Sequence, residues 1–146
     1  TLAQLDRLLP QADTLICCLP ETAETRGLLS RARIVQMKQG SVLINVGRGS
    51  LVDTEALTQA LQAGRLAGAG LDVTDPEPLP VDHPLRRMPQ VILTPHVAGV
   101  GFGHLPLTER RIRMLCLENV RRFVGGMAPN YLVDFKTGYQ ARPEGV

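Results

Sequence analysis

The sequence predicts a doubly wound α/β fold, in which helices pack against a sheet of parallel strands. Short, continuous apolar runs alternate along the chain with segments whose apolar residues recur at helical spacing. Continuous apolar runs of this length are typical of strands that are buried on both faces of a parallel sheet. Parallel strands need crossover connections, and the helical segments between the runs can supply them. The order of the elements therefore predicts the fold class.

Four helices and four strands are expected, followed by an irregular tail at 127–146. The helices are expected at 1–9, 30–40, 53–64 and 107–124, and the strands at 13–20, 41–49, 66–73 and 90–97. The first helix has leucines on one face, and the second begins with serine and ends in glycine. The third has the clearest signals, because Asp53 can cap its first turn and Gly64 follows its apolar stripe.

The second half of the chain is divided by a proline-rich loop at 74–84. Before this loop, the glycines of the third strand allow close packing against its neighbours. After it, the fourth strand leads into the long helix at 107–124, which has one apolar face and is followed by Gly125. His83 and His104 lie outside these elements, and solvated loop positions are the expectation for both.

The composition excludes several classes of partner. Of the 146 residues, 44% are hydrophobic and 21% charged, and a chain of this length can bury about 70% of its unfolded surface. The net charge of +2, the aromatic content of 3% and the lack of tryptophan give no support to a nucleic-acid-binding surface. No apolar run approaches the roughly 18 residues of a membrane-spanning helix. We therefore expect neither nucleic acid nor a membrane as a partner.

The cysteines indicate a reducing environment. Cys17, Cys18 and Cys116 are odd in number, lack the spacing of metal ligands and lie in apolar surroundings. This pattern favours buried free thiols over disulfides or a metal site. We expect a cytoplasmic protein that holds no metal.

Unusual residues follow three of the predicted strands. They lie at 46–49, in the loop after Asp72 and at 94–99. In open parallel sheets, ligands bind beyond the carboxyl ends of the strands. We therefore expect these three segments to converge on one crevice.

An arginine between two glycines ends the second strand. Gly47 and Gly49 would let the backbone approach a ligand closely, and Arg48 presents a fork of donors that suits a carboxylate. A tight turn with a solvated arginine explains the same pattern equally well.

Two further residues are candidates for proton transfer. His96 follows a strand and a proline, where its imidazole could exchange a proton near neutral pH, although a lone histidine is more often structural. Glu77, in the segment DPEP, could hydrogen-bond that imidazole and fix its tautomer, or it could be an ordinary exposed loop carboxylate. Asp72 ends a buried strand, where a carboxylate without a donor would be costly.

Together, these residues lie in a longer recognisable pattern. The run LPETAETRGLLSRARIVQMKQGSVLINVGRGSLVDTEALTQALQAGRLAGAGLDVTDPEPLP, followed by VILTPHVAG, resembles the NAD-binding part of the D-isomer-specific 2-hydroxyacid dehydrogenases. The resemblance spans about residues 1–139 in the order of the family, and ENVRRFVGGMAPNYLVDFKTGY resembles its last helix and tail. It implies a Rossmann-like fold and hydride transfer between NAD(P)H and a small 2-oxo acid or D-2-hydroxy acid.

The resemblance also implies roles for individual residues. Arg48 would hold the substrate carboxylate and polarise the carbonyl, His96 would protonate the carbonyl oxygen, and Glu77 would pair with His96. Asp72 would accept a hydrogen bond from the nicotinamide carboxamide. Positions implied to line the cofactor are Cys18, Leu19, Pro20 and Thr25 at the adenosine end, and Val46, Gly47, Arg48, Asp72, His96, Ala98 and Gly99 at the nicotinamide end.

One part of the family's pattern is absent from the sequence. No glycine-rich phosphate-binding fingerprint opens a helix after a strand, and the acidic residue that would follow it is absent as well, so the choice between NAD and NADP is open. We interpret the chain as the carboxyl-terminal fragment of a longer, dimeric enzyme, inactive by itself. Residues 1–106 would form part of the nucleotide-binding domain, and 107–146 a helix and tail that pack towards a substrate domain.

Two further interpretations remain open. The family includes a transcriptional corepressor, so the chain could belong to a non-catalytic binding protein. It could also be an inactive truncated chain that acts through association. The strand near 15–19 is expected to present an open apolar edge, because its usual neighbour would lie in the absent part of the fold.

Overall fold

The computed structural model describes residues 2–99, 106–135 and 139–140, in two compact units, Thr1–Ala98 and Gly99–Val146. The first unit contains three α-helices and four strands: α1 Leu5–Leu8, β1 Thr14–Cys17, α2 Arg31–Gln36, β2 Val42–Asn45, α3 Thr54–Gln62, β3 Gly68–Leu71 and β4 Val91–Leu93. It also has short 3₁₀ turns at Leu2–Gln4, Gly49–Leu51 and Pro84–Arg87. The second unit contains α4 Pro106–Val124, β5 Val133–Asp134 and β6 Tyr139–Gln140.

The four strands of the first unit form one parallel sheet in the order β1-β2-β3-β4. Cys17, Asn45, Leu71 and Leu93 lie side by side in one row of the register. Each of these residues ends its strand, so the chain leaves all four strands at the same edge of the sheet. The predicted α/β fold class is confirmed, and the strand ends lie at one edge of the sheet as expected.

The core lies between one face of this sheet and the helices of the first unit. Leu43, Ala69 and Leu71 point towards this core. The apolar stripe of α3 faces it with Ala56, Leu57, Ala60 and Leu61, joined by Ile34 of α2. Asp53 caps α3 as predicted, because its carboxylate accepts the Ala56 N–H at 2.8 Å.

The opposite face of the sheet is open at Ile16 and Ile92, which are 59% and 69% exposed. These residues lie in one row with Ile44 and Gly70. The prediction that the strands are buried on both faces is therefore wrong for this face, since a continuous apolar run does not show what covers it. The open edge is confirmed: within the described part of the chain, β1 pairs only with β2.

In the second unit, α4 begins one residue before the predicted long helix and ends at the same residue. The side chains of α4 are at least partly exposed throughout. The tail was expected to be irregular, but β5 and β6 form an antiparallel pair. Strands of two residues are too short to produce a recognisable period. Residues 100–105, which include His104, lie outside the described residues.

The expectation of buried thiols is correct for only one cysteine. Cys17 is buried, and this burial, with a smaller contribution from Cys18, raises the pKa of its thiol to about 11. Cys18 and Cys116 are exposed, which an apolar run alone does not reveal. None of the three forms a disulfide. Among the described helices, none combines the length and apolar character needed to cross a membrane.

Candidate active site

A crevice of about 540 Å³ lies beyond the ends of β3 and β4. Asp72, Glu77, Thr94 and His96 contribute to its walls. The segments after β3 and β4 thus bring together three of the residues that the sequence singled out. The other predicted residue, Arg48, follows β2 at the same edge of the sheet, but segment 46–49 does not line this crevice. The expected convergence on one crevice therefore holds for two of the three segments.

His96 and Glu77 form a hydrogen-bonded pair in this crevice. The distance between His96 Nδ1 and Glu77 Oε1 is 2.6 Å, so the predicted hydrogen bond is present. Because an ionised carboxylate can only accept, Nδ1 must carry the shared proton, and Nε2 remains for a second partner. Nε2 has no hydrogen-bond partner among the described residues. The side chains are 46% and 41% exposed, so the pair adds little stability and instead orients the imidazole.

The backbone at His96 adopts a conformation that is uncommon for a residue with a side chain. Its φ is 58°, in the left-handed region. The His96 N–H donates to the carbonyl of Asp72 at 2.9 Å, which connects the loop after β4 to the end of β3. A backbone held in this region costs free energy and persists where surrounding contacts determine it.

Asp72 supplies those contacts through its carboxylate. This residue is only 5% exposed. Its Oδ1 accepts the Thr94 hydroxyl at 2.5 Å and the Val97 N–H at 2.8 Å, and its Oδ2 accepts the Ala98 N–H at 2.8 Å. Burial by itself would raise the pKa of Asp72, but these hydrogen bonds, aided by nearby His96, outweigh burial and hold the pKa below its usual value. The buried carboxylate therefore has the donors that its position required.

Replacing Asp72 with Asn is expected to lower the free energy of unfolding by about 1–3 kcal/mol at neutral pH, because the amide nitrogen cannot accept these N–H groups. Since folding lowers the pKa of Asp72, its ionised form stabilises the fold above the unfolded pKa of about 3.9. That contribution is lost as the pH falls through the folded pKa. Thermal unfolding of wild type and variant, measured from neutral pH downwards, should show a difference in the free energy of unfolding that becomes smaller in acid. An equal difference at every pH would contradict this role.

Arg48 lies on a turn that a buried amide holds in place. Its guanidinium is exposed, and among the described residues its only side-chain hydrogen bond is to the Gly47 carbonyl, at 2.7 Å. Asn45 is 1% exposed, accepts the Gly47 N–H at 3.1 Å and donates to the Arg48 carbonyl at 2.9 Å. Asn45 was not among the residues predicted from the sequence. The available signal was a polar residue within an apolar run, which needs partners when it is buried.

Backbone hydrogen bonds connect the two catalytic candidates. The Asp72 N–H donates to the Asn45 carbonyl at 3.0 Å, and the Asp72 carbonyl accepts the His96 N–H. The turn that carries Arg48 is thus joined to the loop that carries His96 through a single residue. The structure thereby fixes the backbone of these two segments relative to each other.

The two glycines that flank Arg48 allow neighbouring loops to pack closely. A Cβ at Gly47 would lie 2.6 Å from the Leu19 carbonyl oxygen, and one at Gly49 would lie 2.0 Å from that of Thr74. From the sequence, both glycines could serve either the close approach of a ligand or a tight turn. The contacts agree with the turn, which fits between the loops that follow β1 and β3.

Replacing Gly49 with Ala is expected to lower the free energy of unfolding by about 3 kcal/mol, because backbone atoms of Thr74 would have to move. Gly70→Ala is the matched control. A Cβ there would meet only Ile44, at an ordinary 3.8 Å. Chemical denaturation measures the free energy of unfolding of both variants. Equal values would contradict the close packing of Gly49 against Thr74 as the cause.

The remaining predicted cofactor positions lie around the same edge of the sheet. Cys18, Leu19 and Pro20 follow β1, and Gly47 approaches the Leu19 backbone. Thr25 is buried, and its hydroxyl donates to the Pro20 carbonyl at 2.7 Å, so it braces this loop. Val46 is exposed next to Gly47.

The last two predicted cofactor positions are adjacent in the chain but belong to different units. Ala98 ends the first unit and Gly99 begins the second. His83 lies away from the Glu77 pair and caps the turn Pro84–Arg87, where its Nδ1 accepts the Leu85 N–H at 3.3 Å. Within the described ranges, no cluster of His, Cys, Asp and Glu could hold a metal ion.

Solved structures share this architecture. A D-isomer-specific 2-hydroxyacid dehydrogenase from Xanthobacter autotrophicus Py2, solved with NADPH and MES, is 39% identical with a TM-score of 0.80, over 94% of this chain and 54% of that one. An NADPH-dependent glyoxylate/hydroxypyruvate reductase from Sinorhizobium meliloti, solved with NADP and sulfate, is 32% identical with a TM-score of 0.79, over 94% and 43% of the two chains.

Curated sequences point to the same family. Glyoxylate/hydroxypyruvate reductase B from Pectobacterium carotovorum is 50% identical over 95 residues, or 65% of this chain and 30% of the relative. Glyoxylate reductase from Aeropyrum pernix is 41% identical over 130 residues, or 89% and 38%. The chain thus spans less than half the length of these relatives. Residues 1–98 match the family model described as D-isomer specific 2-hydroxyacid dehydrogenase, NAD binding domain. The chain therefore belongs to the D-isomer-specific 2-hydroxyacid dehydrogenase family.

Proposed function

We propose that the intact protein containing this chain is an NAD(P)-dependent oxidoreductase that interconverts small 2-oxo acids and D-2-hydroxy acids. The observation that carries this proposal is the His96–Glu77 hydrogen bond at the sheet edge where Arg48 also lies. Reduction of a 2-oxo acid requires two groups from the protein. One is a cation that binds the carboxylate, and the other is an oriented proton donor. The names of the relatives, glyoxylate and hydroxypyruvate reductases, agree with this substrate class.

Arg48 binds the substrate carboxylate in this proposal. Its side chain is exposed, and its one hydrogen bond among the described residues, to the Gly47 carbonyl, leaves other N–H groups for a substrate. A guanidinium matches the two oxygens of a carboxylate with parallel hydrogen bonds. The same positive charge draws electron density from the adjacent carbonyl and makes its carbon more electrophilic.

His96 gives the carbonyl oxygen its proton. Glu77 holds Nδ1, so the doubly protonated imidazole presents its Nε2–H to the substrate. Proton transfer from Nε2 converts the developing alkoxide to a hydroxyl, and Glu77 stabilises the imidazole in the orientation that this requires. In the reverse direction, neutral Nε2 accepts the hydroxyl proton.

The residues present fit the nicotinamide end of a dinucleotide. The Asp72 carboxylate lies in the wall of the crevice, and its Oδ2 accepts only one of the three donors. One acceptor position therefore remains for an amide N–H, such as that of a carboxamide. Bound NADH or NADPH would supply the hydride for the carbonyl carbon. The glycine fingerprint that grips a pyrophosphate is absent from this sequence, so that grip belongs to another part of the intact protein.

The remaining cofactor contacts and the context of the protein belong to the same proposal. Cys18, Leu19, Pro20 and Thr25 would line the adenosine end, with Val46, Gly47, Ala98 and Gly99 nearer the nicotinamide. Residues 107–146 would pack towards a substrate domain. We further propose a homodimer in the cytoplasm, and the three free thiols support a reducing compartment.

Steady-state assays of the intact protein test the proposed function. Glyoxylate, hydroxypyruvate and pyruvate should each be offered with NADH and with NADPH, and nucleotide oxidation followed by absorbance. We expect turnover of at least one 2-oxo acid and formation of the matching D-2-hydroxy acid, which chiral chromatography identifies. A folded intact protein that binds the nucleotide and turns over none of these acids would contradict the proposal and favour a binding role.

A further inference from the structure

We infer that Asn45 is a positioning residue for Arg48, so that its buried amide sets how well the site binds the substrate carboxylate. This inference rests on the proposed function. It concerns a residue that touches neither the substrate nor the cofactor in the mechanism above.

Asn45 is placed to act on the turn rather than on the crevice. It is the last residue of β2, and it is 1% exposed. Its backbone is fixed in the sheet, because it pairs with Cys17 on one side and Leu71 on the other. The amide therefore extends from a rigid base, and a buried amide must find hydrogen-bond partners within the protein.

Both partners of that amide belong to the turn that carries Arg48. Oδ1 accepts the Gly47 N–H at 3.1 Å, and Nδ2 donates to the Arg48 carbonyl at 2.9 Å. These two backbone groups flank the Arg48 Cα, one on each side. The single amide thus fixes the direction in which the arginine side chain leaves the backbone.

Arg48 needs such support because its own side chain is weakly held. Among the described residues, its guanidinium makes one side-chain hydrogen bond, and that bond is to the adjacent Gly47 carbonyl. The Glu21 carboxylate lies close enough to interact with its charge, but within the described part of the chain no residue of another element hydrogen-bonds the guanidinium. Its location therefore depends on the turn, and small displacements of a binding group can cause large losses in rate.

The glycines leave the side-chain support of this turn to Asn45, beside one backbone hydrogen bond from the Leu51 N–H to the Arg48 carbonyl at 3.2 Å. Gly47 and Gly49 allow the close approach of two loops, but they contribute no side chain that could hold the turn. An amide can supply one donor and one acceptor in this geometry, whereas leucine, of similar size, supplies neither. Asn45→Leu should consequently leave the Gly47 N–H without its partner and the Arg48 carbonyl with the Leu51 N–H alone, and so let the turn shift.

The test is a double-mutant cycle in the intact enzyme, with kcat and KM measured for the best 2-oxo acid substrate. Asn45→Leu should raise KM roughly tenfold with a smaller change in kcat. In an Arg48→Ala background, which has no guanidinium to position, Asn45→Leu should change kcat/KM by less than about twofold. Multiplicative losses in the double variant would show that Asn45 acts independently of Arg48 and would overturn the inference.

Two further variants separate positioning from loss of stability. Thr58→Val removes another buried polar group, whose hydroxyl donates to the Thr54 carbonyl within α3, and it should lower Tm without changing KM. Asn45→Ser is smaller and polar, and it decides the question if Asn45→Leu does not fold. A folded Asn45→Ser enzyme with wild-type KM would overturn the inference while leaving the proposed function intact. A wild-type enzyme without 2-oxo acid turnover would overturn both.

Discussion

Replacing His96 with Asn is expected to lower kcat of the intact enzyme for 2-oxo acids by about 10²–10⁴-fold, because general acid catalysis contributes this much. The asparagine amide can still donate a hydrogen bond, but it cannot give up a proton. Glu77→Gln should cause a smaller loss, since its amide oxygen can still accept from Nδ1, at 2.6 Å in the wild type, while the negative charge is gone. Rapid-mixing measurements of nucleotide oxidation would detect both effects.

His83→Asn is the matched control for this prediction. His83 belongs to the same unit and hydrogen-bonds the Leu85 N–H, away from the Glu77 pair. An asparagine can accept the same N–H group, so kcat should change by less than about twofold. If His96→Asn and His83→Asn behaved alike, His96 would not be the proton donor.

Replacing Arg48 with Lys is expected to raise KM for 2-oxo acids by about 10–100-fold, because hydrogen bonds between charged groups contribute strongly and lysine lacks the planar fork. Reduction should also slow, since the lysine ammonium would polarise the carbonyl from a different position. The charge is kept in this variant, so the measurement separates geometry from simple electrostatic attraction.

Arg87→Lys tests whether any exposed arginine has this effect. Arg87 lies on the surface of the same unit and has no side-chain hydrogen bond among the described residues. We expect its kinetics to match those of wild type. An Arg48→Lys enzyme with unchanged KM would remove Arg48 from the substrate site and would favour the interpretation of a tight turn with a solvated arginine.

Sequence reasoning located the candidate site because strand ends and unusual residues coincide. Asp72 and His96 were singled out by their positions after apolar runs, and both lie at the predicted edge of the sheet. The pairing of Glu77 with His96 could be anticipated from chemistry, since a carboxylate in a nearby loop can fix an imidazole tautomer. These inferences needed only the order of the elements and the properties of the side chains.

The boundaries of the strands were harder to predict from the sequence than their existence. The strand expected at 90–97 ends at Leu93, because the chain bends into the loop where His96 has a φ of 58°. The strand expected at 41–49 likewise ends at Asn45, where the turn carrying Arg48 begins. Apolar residues continue past both ends, so periodicity alone does not reveal where the backbone leaves the sheet.

Close packing between distant segments could not be predicted from the sequence. The close approach of Gly49 to Thr74 depends on how two loops pack, which no local pattern encodes. The exposure of Ile16 and Ile92 depends on what covers the second face of the sheet. The role of Asn45 likewise becomes visible only when both partners of its amide are known.

A crystal structure of the intact protein with NADH and oxamate, an unreactive analogue of a small 2-oxo acid, is the most direct test of the central claim. That claim is that Arg48 binds the carboxylate of a substrate molecule while His96 contacts the carbonyl oxygen of the same molecule. We expect the oxamate carboxylate within hydrogen-bonding distance of the Arg48 guanidinium and the amide oxygen of oxamate within the same reach of His96 Nε2. Oxamate bound at full occupancy without contact to either residue would contradict the account.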